Sequence, residues 1–229
     1  MLVYTIRKQL IAAVCLIGFA GSAMAIAPDF LEKLDAEARP EKERDSARMP
    51  YEVMQLLGVE EGMTAVDIGA GGGWWSWVFS AAVGPDGTVY AQGRMRGDAS
   101  ALEALGNVRI APDMSSIAEN SVDVAVTALN IHHFNADRAG PYMADILRIL
   151  KPGGVAAIID HVGVAGNNNA GLHRVLIDDV RTWIEASGLE IVEESDLLRR
   201  SNDDHTLSAT DPALGRNPDR FLFLVTKPR

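Results

Sequence analysis

A cluster of glycines after a short apolar segment is the first feature of this chain that could bind a ligand. Gly69, Gly71 and Gly73 follow the apolar run 64–68, which contains Asp67. Glycines in such a place let the backbone turn tightly and approach a ligand without a Cβ in the way. The first turn of a following helix then offers free N–H groups. The spacing predicts a site for a nucleotide-like ligand.

Five histidines form a second candidate group, all in the carboxyl-terminal half of the chain. Each falls in or beside a predicted loop: His132, His133, His161, His173 and His205. Imidazole has an ordinary pKa close to neutrality, so it suits proton transfer during a group-transfer reaction. We expect His161 to be the best candidate for such a base, with His133 and Asp160 as further catalytic candidates.

The same side chains could instead bind a metal ion. Imidazole nitrogens and the Asp160 carboxylate are suitable ligands for divalent transition metals. No two histidines have the i, i+4 spacing typical of paired metal ligands on one helix. We therefore assign no metal ligand from the sequence and prefer acid–base chemistry.

Strand-like and helix-like segments alternate through most of the chain, and they must position these residues. Apolar strands are predicted at residues 64–68, 88–91, 108–110, 122–127, 155–160, 189–193 and 220–226. Helices are predicted at residues 74–83, 98–105, 138–150 and 174–187, with a turn at 151–154. This alternation predicts an α/β fold with a doubly wound, mainly parallel, seven-stranded sheet.

The last predicted strand follows the one before it without a helix between them, so we expect it to be antiparallel. Ligands of such sheets bind at the carboxyl ends of the strands. The glycine cluster and the histidine loops should therefore share one rim of the sheet. Residues 197–218 are long for a connection and are predicted to be either a substrate lid or a flexible surface loop.

The beginning of the chain has the pattern of a secretory signal peptide. Arg7 and Lys8 precede an apolar run at residues 10–20, and Ala23-Met24-Ala25 follows. We expect cleavage after Ala25 and a periplasmic or secreted protein. The remaining chain is predicted to comprise an N-terminal helix and linker at residues 26–49 and a single domain at residues 50–229.

Composition narrows the range of partners. The chain has 21 basic and 31 acidic residues, and two of the basic ones lie in the predicted leader, so the rest would carry a formal charge of −12. Such an acidic chain lacks the basic surface of nucleic-acid-binding proteins. The single cysteine lies in the leader, so a mature chain could form no disulfide. We expect no nucleic-acid partner and no membrane insertion after cleavage.

The motif Asp67-x-Gly69-x-Gly71-x-Gly73 resembles the cofactor loop of class I S-adenosylmethionine-dependent methyltransferases. A dinucleotide fingerprint would need glycine at position 74, where this chain has Trp74. The resemblance covers residues 50–229 and includes Leu150-Lys151-Pro152-Gly153-Gly154. It implies a Rossmann-like domain that binds S-adenosylmethionine through Asp67, Gly69, Ala70, Gly71 and Gly73.

In finer detail the chain resembles a family of exported bacterial predicted methyltransferases. The closer match is carried by Arg44-Asp45, Pro50, Asp160-His161, His173-Arg174, Asp211-Pro212 and Asp219-Arg220-Phe221. The family's substrate does not follow from these residues.

Two positions decide how closely this chain matches the cofactor site of class I methyltransferases. Gln92 stands where these enzymes usually have an acidic residue that accepts both ribose hydroxyls, and an amide has one acceptor oxygen instead of two. Arg94 and Arg96 follow it, so a phosphorylated nucleotide is a rival ligand. Asp113 either accepts the adenine amino group or caps the turn at Ser115 and Ser116.

The sequence as a whole therefore predicts an exported S-adenosylmethionine-dependent methyltransferase of a small or medium-sized acceptor. The alternative is a non-catalytic or repurposed extracytoplasmic module that binds a nucleotide-like metabolite or a metal. Gln92 and the histidines keep this alternative open, as does export, because S-adenosylmethionine is made inside the cell.

Overall fold

A seven-stranded mixed sheet forms the centre of the molecule. The computed structural model describes residues 25–36, 39, 41–96 and 99–229. The strands are β1 (Thr64–Ile68), β2 (Thr88–Gln92), β3 (Val108–Ala111), β4 (Val122–Ala128), β5 (Leu150–His161), β6 (Glu190–Ser195) and β7 (Arg220–Thr226). Their order is β3-β2-β1-β4-β5-β7-β6, with β7 antiparallel to both of its neighbours. The predicted α/β fold with an antiparallel last strand is confirmed.

Seven α-helices lie in the described part of the chain. They are α1 (Phe30–Asp35), α2 (Asp45–Arg48), α3 (Pro50–Leu56), α4 (Trp74–Val83), α5 (Ser100–Glu103), α6 (Ala136–Ile149) and α7 (Ile177–Ser187). None of the helices in these ranges is long and apolar enough to cross a membrane. The predicted signal peptide lies almost wholly outside the described residues, at positions 1–24.

Two apolar cores cover the two faces of the sheet. One contains Phe30 of α1, Met54 of α3 and Phe79 of α4, whereas the other contains Met143 of α6 and Ile184 of α7. Strand β7 contributes to both, because successive side chains of a strand point to opposite faces. Leu222 and Leu224 enter the first core, and Phe221, Phe223 and Val225 enter the second. The sheet is thus doubly wound, as predicted.

Several element boundaries differ from those predicted from the sequence. The predicted turn at residues 151–154 lies inside β5, where it bulges out between the paired residues Leu150 and Val155. Helix α7 begins at Ile177 rather than at residue 174, because Arg174 is buried in an ion pair with Asp203. The N-terminal helix ends at Asp35, and a 3-10 turn at Lys42–Arg44 leads into α2.

Candidate functional site

The loop after β1 adopts a conformation that requires its glycines. Gly69, Gly71 and Gly73 have φ values of +69°, +56° and +77°, in the left-handed region that side chains rarely adopt. A Cβ at Gly69 would lie 2.5 Å from Nδ2 of Asn130. The Ala70 N–H donates to the Gln92 carbonyl (2.8 Å), which fixes the loop on the end of β2.

Asp67 supports this loop from behind. It is buried, and its Oδ2 accepts hydrogen bonds from the N–H (2.9 Å) and the hydroxyl (2.7 Å) of Ser76. Burial raises the pKa of Asp67 to about 6, although the Ser76 hydrogen bonds and the charge of Arg48 oppose that rise. Both contacts join β1 to the first turn of α4, so the carboxylate positions the loop.

Gln92 also holds the loop. Its Oε1 accepts the N–H of Gly69 at 3.1 Å, so its single acceptor oxygen already has one partner. The neighbouring Arg96 donates its own N–H to the Gly71 carbonyl at 2.8 Å and places its guanidinium beside Gly71. Arg94 is exposed and does not line the cavity between this loop and the histidine-bearing loops.

Asp113 caps the turn at Ser115 and Ser116, which was one of the two roles predicted for it. Its Oδ1 accepts the Ser115 hydroxyl (2.7 Å) and the Ser116 N–H (3.0 Å) at the start of the short 3-10 helix Met114–Ser116. These bonds lower the pKa of the Asp113 carboxyl. The side chain is exposed and lies outside the cavity lining. Its role toward adenine stays a prediction.

One cavity of about 620 Å³ adjoins both the glycine loop and the histidine-bearing loops. This volume suits a small organic ligand. Its lining comprises Glu41, Arg44, Arg48, Asp67, Gly69, Ala70, Gly72, Trp74, Trp75, Arg96, Ala128, Leu129, Asn130, His132, His133, His161, His173 and Thr210. Two of the predicted catalytic residues and three of the predicted cofactor residues thus share one space.

An N-terminal segment contributes a basic wall to the cavity that the sequence interpretation missed. The Arg48 guanidinium lies over the Trp74 ring, 4.6 Å from its centroid, and the Trp74 indole N–H donates to the Glu41 carbonyl at 3.2 Å. Burial and the nearby Arg44 charge lower the pKa of Arg48 to about 10, so it stays charged near neutral pH. The pair Arg44-Asp45, part of the family resemblance, was the available signal.

Four of the five histidines form one cluster. The ring centroids of His132 and His133 are 4.0 Å apart. The His132 centroid also lies 5.7 Å from the ring centroid of His161 and 5.5 Å from that of His173. The prediction that these loops meet at one rim is confirmed for this group. His205 is held elsewhere, with its Nε2 2.9 Å from an oxygen of Asp219.

Asp160 organises the cluster from below. It is fully buried, and it accepts the backbone N–H groups of His132 (3.0 Å) and His161 (2.7 Å). Its Oδ1 also lies 2.8 Å from the ring Nδ1 of His132, whereas the Nδ1 of His161 is 3.8 Å away. The partner of Asp160 is therefore the ring of His132, which was not among the three predicted catalytic residues.

His161 is held in one tautomer. Its Nδ1 lies 3.0 Å from the carbonyl oxygen of His173, which can only accept, so Nδ1 carries the proton and Nε2 has a free lone pair. Burial lowers the pKa of His161 to about 4, which keeps the ring neutral near pH 7. Desolvation and the neighbouring histidines also lower the pKa of the exposed His133.

Residues 197–218 are fastened to the body rather than free. Both oxygens of Asp203 accept from Arg174 at 2.9 and 3.0 Å, and Asp219 accepts from Arg199. The Ala209 N–H donates to the Leu172 carbonyl at 2.9 Å, and the adjacent Thr210 lines the cavity. This stretch is a fixed part of the wall in the structure.

Comparison with known proteins places the central part of the chain in a described family. Residues 66–158 match the family model of a methyltransferase domain. The matched segment begins in β1 and ends in β5, so it contains the glycine loop and most of the parallel sheet. The match ends just before Asp160 and His161.

Solved structures share the fold across more of the chain. An S-adenosylmethionine-dependent methyltransferase from Aquifex aeolicus is 20% identical, with a TM-score of 0.59 over 88% of this chain and 98% of the other. A geranyl diphosphate C-methyltransferase from Streptomyces coelicolor A3(2) is 14% identical, with a TM-score of 0.60 over 89% and 92%.

A curated relative matches a short segment only. The highly reducing polyketide synthase Preu1 of Preussia isomera is 38% identical over 56 residues, which are 24% of this chain. The chain covers about 2% of the length of that synthase. The overlap therefore shows a shared segment.

Proposed function

Because the chain belongs to the class I S-adenosylmethionine-dependent methyltransferase superfamily, we propose that it methylates a small or medium-sized acceptor outside the cytoplasm. The cofactor is S-adenosylmethionine. The observation that carries the proposal is the cavity of about 620 Å³ that adjoins both the glycine loop and the histidine cluster. A cofactor on the loop side would direct its methyl group toward a wall of imidazoles.

The loop supplies the groups that hold the cofactor. Gly69 and Ala70 line the cavity and would present backbone to the ligand, Gly71 completes the turn of the loop, and Asp67 holds the loop on α4. Arg44 and Arg48 provide positive charge at the cavity wall for the cofactor's carboxylate. Gln92 is assigned to the ribose and Asp113 to the adenine, as the family resemblance implies.

Methyl transfer needs a nucleophile and a place for its proton. An oxygen or nitrogen atom of the acceptor attacks the sulfonium methyl carbon, the new bond forms to that carbon, and the carbon–sulfur bond breaks. The bonding electron pair stays on sulfur and yields the neutral thioether S-adenosylhomocysteine. The acceptor's proton passes to a base, and Nε2 of His161 has the free lone pair for it.

The other two predicted catalytic residues take different roles. His133 is exposed at the cavity wall and can contact the acceptor directly. Asp160 is buried below the rings and accepts three hydrogen bonds, so it is a positioning residue. Its ring contact fixes His132, and its backbone contacts fix the ends of both histidine-bearing segments.

Calorimetric titration of the purified chain tests the cofactor. We expect S-adenosylmethionine and S-adenosylhomocysteine to bind with one-to-one stoichiometry and NADPH not to bind. Labelled methyl transfer to extracytoplasmic small molecules should follow, and His161→Gln should remove transfer while keeping S-adenosylhomocysteine binding. Failure of both sulfur nucleosides to bind at millimolar concentration would refute the proposal.

A nucleotide-binding module without turnover is the second candidate. It is favoured by the Gln92 oxygen that already bonds Gly69, and by the Arg96 guanidinium beside the loop. A 2′-phosphate would find a cation there. NADPH binding in the same titration, displaced by neither sulfur nucleoside, would establish this alternative.

A further inference from the structure

The histidine cluster contains a set of nitrogen atoms arranged as metal ligands. One ligand atom from each of His132, His133 and His173 lies within 4.8 Å of the other two. Small rotations of the rings would allow one zinc ion to lie ~2.0–2.1 Å from a nitrogen of each ring, the usual zinc–nitrogen bond length. Loops after β4 and β5 bring the three residues together. Because the residues do not share one helix, their sequence positions lack the i, i+4 spacing of paired metal ligands.

We propose that His132, His133 and His173 bind a divalent transition-metal ion at the wall of the cavity. The proposal rests on the imidazoles and their supports, and it stands whether or not the cavity carries out methyl transfer. Three imidazoles without a carboxylate or thiolate suit zinc, cobalt or nickel, and they do not suit magnesium or calcium, which prefer oxygen ligands.

Asp160 gives His132 the orientation of a metal ligand. The carboxylate oxygen can only accept from the His132 ring at 2.8 Å, so Nδ1 carries the proton and Nε2 keeps its lone pair. A histidine ligand commonly donates its other ring N–H to a carboxylate in this way, which fixes the tautomer and the plane of the ring. Here the buried carboxylate also holds the backbone of the same residue.

His173 is held by its backbone. Its φ of +52° lies in the left-handed region, a conformation that a histidine keeps only where surrounding contacts impose it. Its carbonyl accepts the Nδ1–H of His161 at 3.0 Å, and its N–H donates to Ala170 at 3.3 Å. The strained residue thus turns its ring toward His132 and His133, with centroids 5.5 and 5.6 Å away.

His133 completes the set from the open side. It ends the 3-10 helix Ile131–His133, directly after His132, and its ring is exposed to the cavity. The exposure allows this ring to turn toward an ion without disturbing the core. Three protein ligands leave coordination positions open, as in catalytic zinc sites. The ion would therefore take an oxygen, nitrogen or sulfur donor from a ligand in the cavity.

Zinc binding by the untagged full-length chain tests the site. We expect one zinc ion per chain by elemental analysis after dialysis and by calorimetry, with micromolar or tighter affinity. Cobalt should give the visible absorption of a nitrogen-liganded ion, and excess magnesium should not displace either metal. Absence of zinc at micromolar concentration, or displacement by magnesium, would overturn the proposal.

Single substitutions locate the ligands. His133→Gln changes an exposed side chain and should fold normally, and His173→Gln removes a second ligand. Each should weaken zinc binding by ~100-fold. His205→Gln is the matched control, because this histidine lies outside the cluster, and it should change the affinity by less than threefold. Equal binding by His133→Gln and His205→Gln would contradict the assignment.

A second arrangement of ligands is separable by the same method. His132, Asp160 and His161 also bring ligand atoms within 4.8 Å of one another, but all three are buried. If His161→Gln abolished zinc binding while His173→Gln retained it, that set would be the site and our assignment would be wrong. Titration with S-adenosylhomocysteine, run separately without metal, reports on the cofactor and keeps the two proposals distinguishable.

Discussion

Two buried aspartates near the ends of parallel strands support the cavity by holding backbone. Asp67 near the end of β1 binds the first turn of α4 through Ser76, and Asp160 near the end of β5 binds the N–H groups of His132 and His161. Both carboxylates accept hydrogen bonds from other protein groups. The two aspartates therefore hold the glycine loop and the histidine cluster in position.

Replacing Asp67 by Asn should alter the pH dependence of stability. The pKa of Asp67 is raised from 3.8 to about 6, so its protonation stabilises the fold below pH 3.8, and this stabilisation is lost as pH rises through 6. The Asn variant has no such loss. Its unfolding free energy relative to wild type should therefore increase by about 3 kcal/mol between pH 3.5 and 7.

Denaturant unfolding at several pH values measures this difference. Asp113→Asn is the control, because the pKa of Asp113 is lowered by its Ser115 and Ser116 contacts. Its stabilisation is present above the ordinary pKa and lost as pH falls, so the control should have the opposite slope. A flat difference for Asp67→Asn would show that this carboxylate is not buried.

Gln92 should affect cofactor binding through its hydrogen bond to Gly69. Its Oε1 accepts the Gly69 N–H, so Gln92→Ala should loosen the loop and weaken S-adenosylhomocysteine binding by about fivefold, the value of one hydrogen bond. Gln92→Glu keeps that acceptor and adds a second oxygen for the ribose. Calorimetry should show equal or tighter binding for the Glu variant. Weaker binding by Glu than by Ala would place the ribose elsewhere.

Single residues also show where sequence interpretation succeeds. His133, His161 and His173 could be grouped because each lies in or beside a loop that follows a strand, and parallel strands end at one rim. The link between Asp160 and the His132 ring could not be predicted, because it joins residues 28 positions apart through space. The basic wall from Arg44 and Arg48 depends likewise on how the N-terminal segment folds back.

At the scale of elements, the unit from β1 to α4 was predictable and later boundaries were less so. Its apolar run, glycines and following helix agree with the structure at residues 64–68 and 74–83. Local patterns fix such a unit. The start of α7 was predicted three residues early, because the buried pair of Arg174 with the distant Asp203 keeps residues 174–176 extended.

Two glycines of the loop should differ in their tolerance of alanine. At Gly73, φ is +77° and a Cβ would lie 2.4 Å from Cδ1 of Leu102. Gly73→Ala should therefore lower stability by roughly 1–3 kcal/mol. At Gly72 the nearest atom to a Cβ is 3.8 Å away, so Gly72→Ala should change stability by less than about 0.5 kcal/mol.

Thermal unfolding of the two variants makes this comparison. Leu102 is buried in the first core, so Leu102→Ala lowers stability by itself. Adding Gly73→Ala to the Leu102→Ala variant should cost less than it does in the wild type, because the contact is relieved and only the backbone strain remains. Equal melting temperatures for Gly72→Ala and Gly73→Ala would contradict the described loop conformation.

At the scale of the whole molecule, segments distant in sequence meet at one rim of the sheet. The N-terminal arginines, the loop after β1, the histidine loops and Thr210 share one cavity. The fold class and its rim followed from the alternation of strands and helices. The walls of the cavity could not be predicted in this way, because they depend on long-range contacts such as those that hold residues 197–218.

Export remains a prediction about the whole chain. Residues next to the expected cleavage site pack on the body, where Ala27 donates its N–H to the Ala82 carbonyl at 2.9 Å. A mature chain that begins at Ile26 would keep this contact. N-terminal sequencing of protein from the extracytoplasmic fraction should give Ile26 as the first residue. Recovery of the chain from the cytoplasm with an intact Met1 would contradict export.

The central claim is that the glycine loop and the histidine cluster act on one bound cofactor. The most direct measurement is isotope-edited NMR of the chain with S-adenosylmethionine carrying a 13C-labelled methyl group. We predict nuclear Overhauser contacts between that methyl group and imidazole protons of the cluster that contains His161. Tight binding with methyl contacts to none of the clustered histidines would contradict the account.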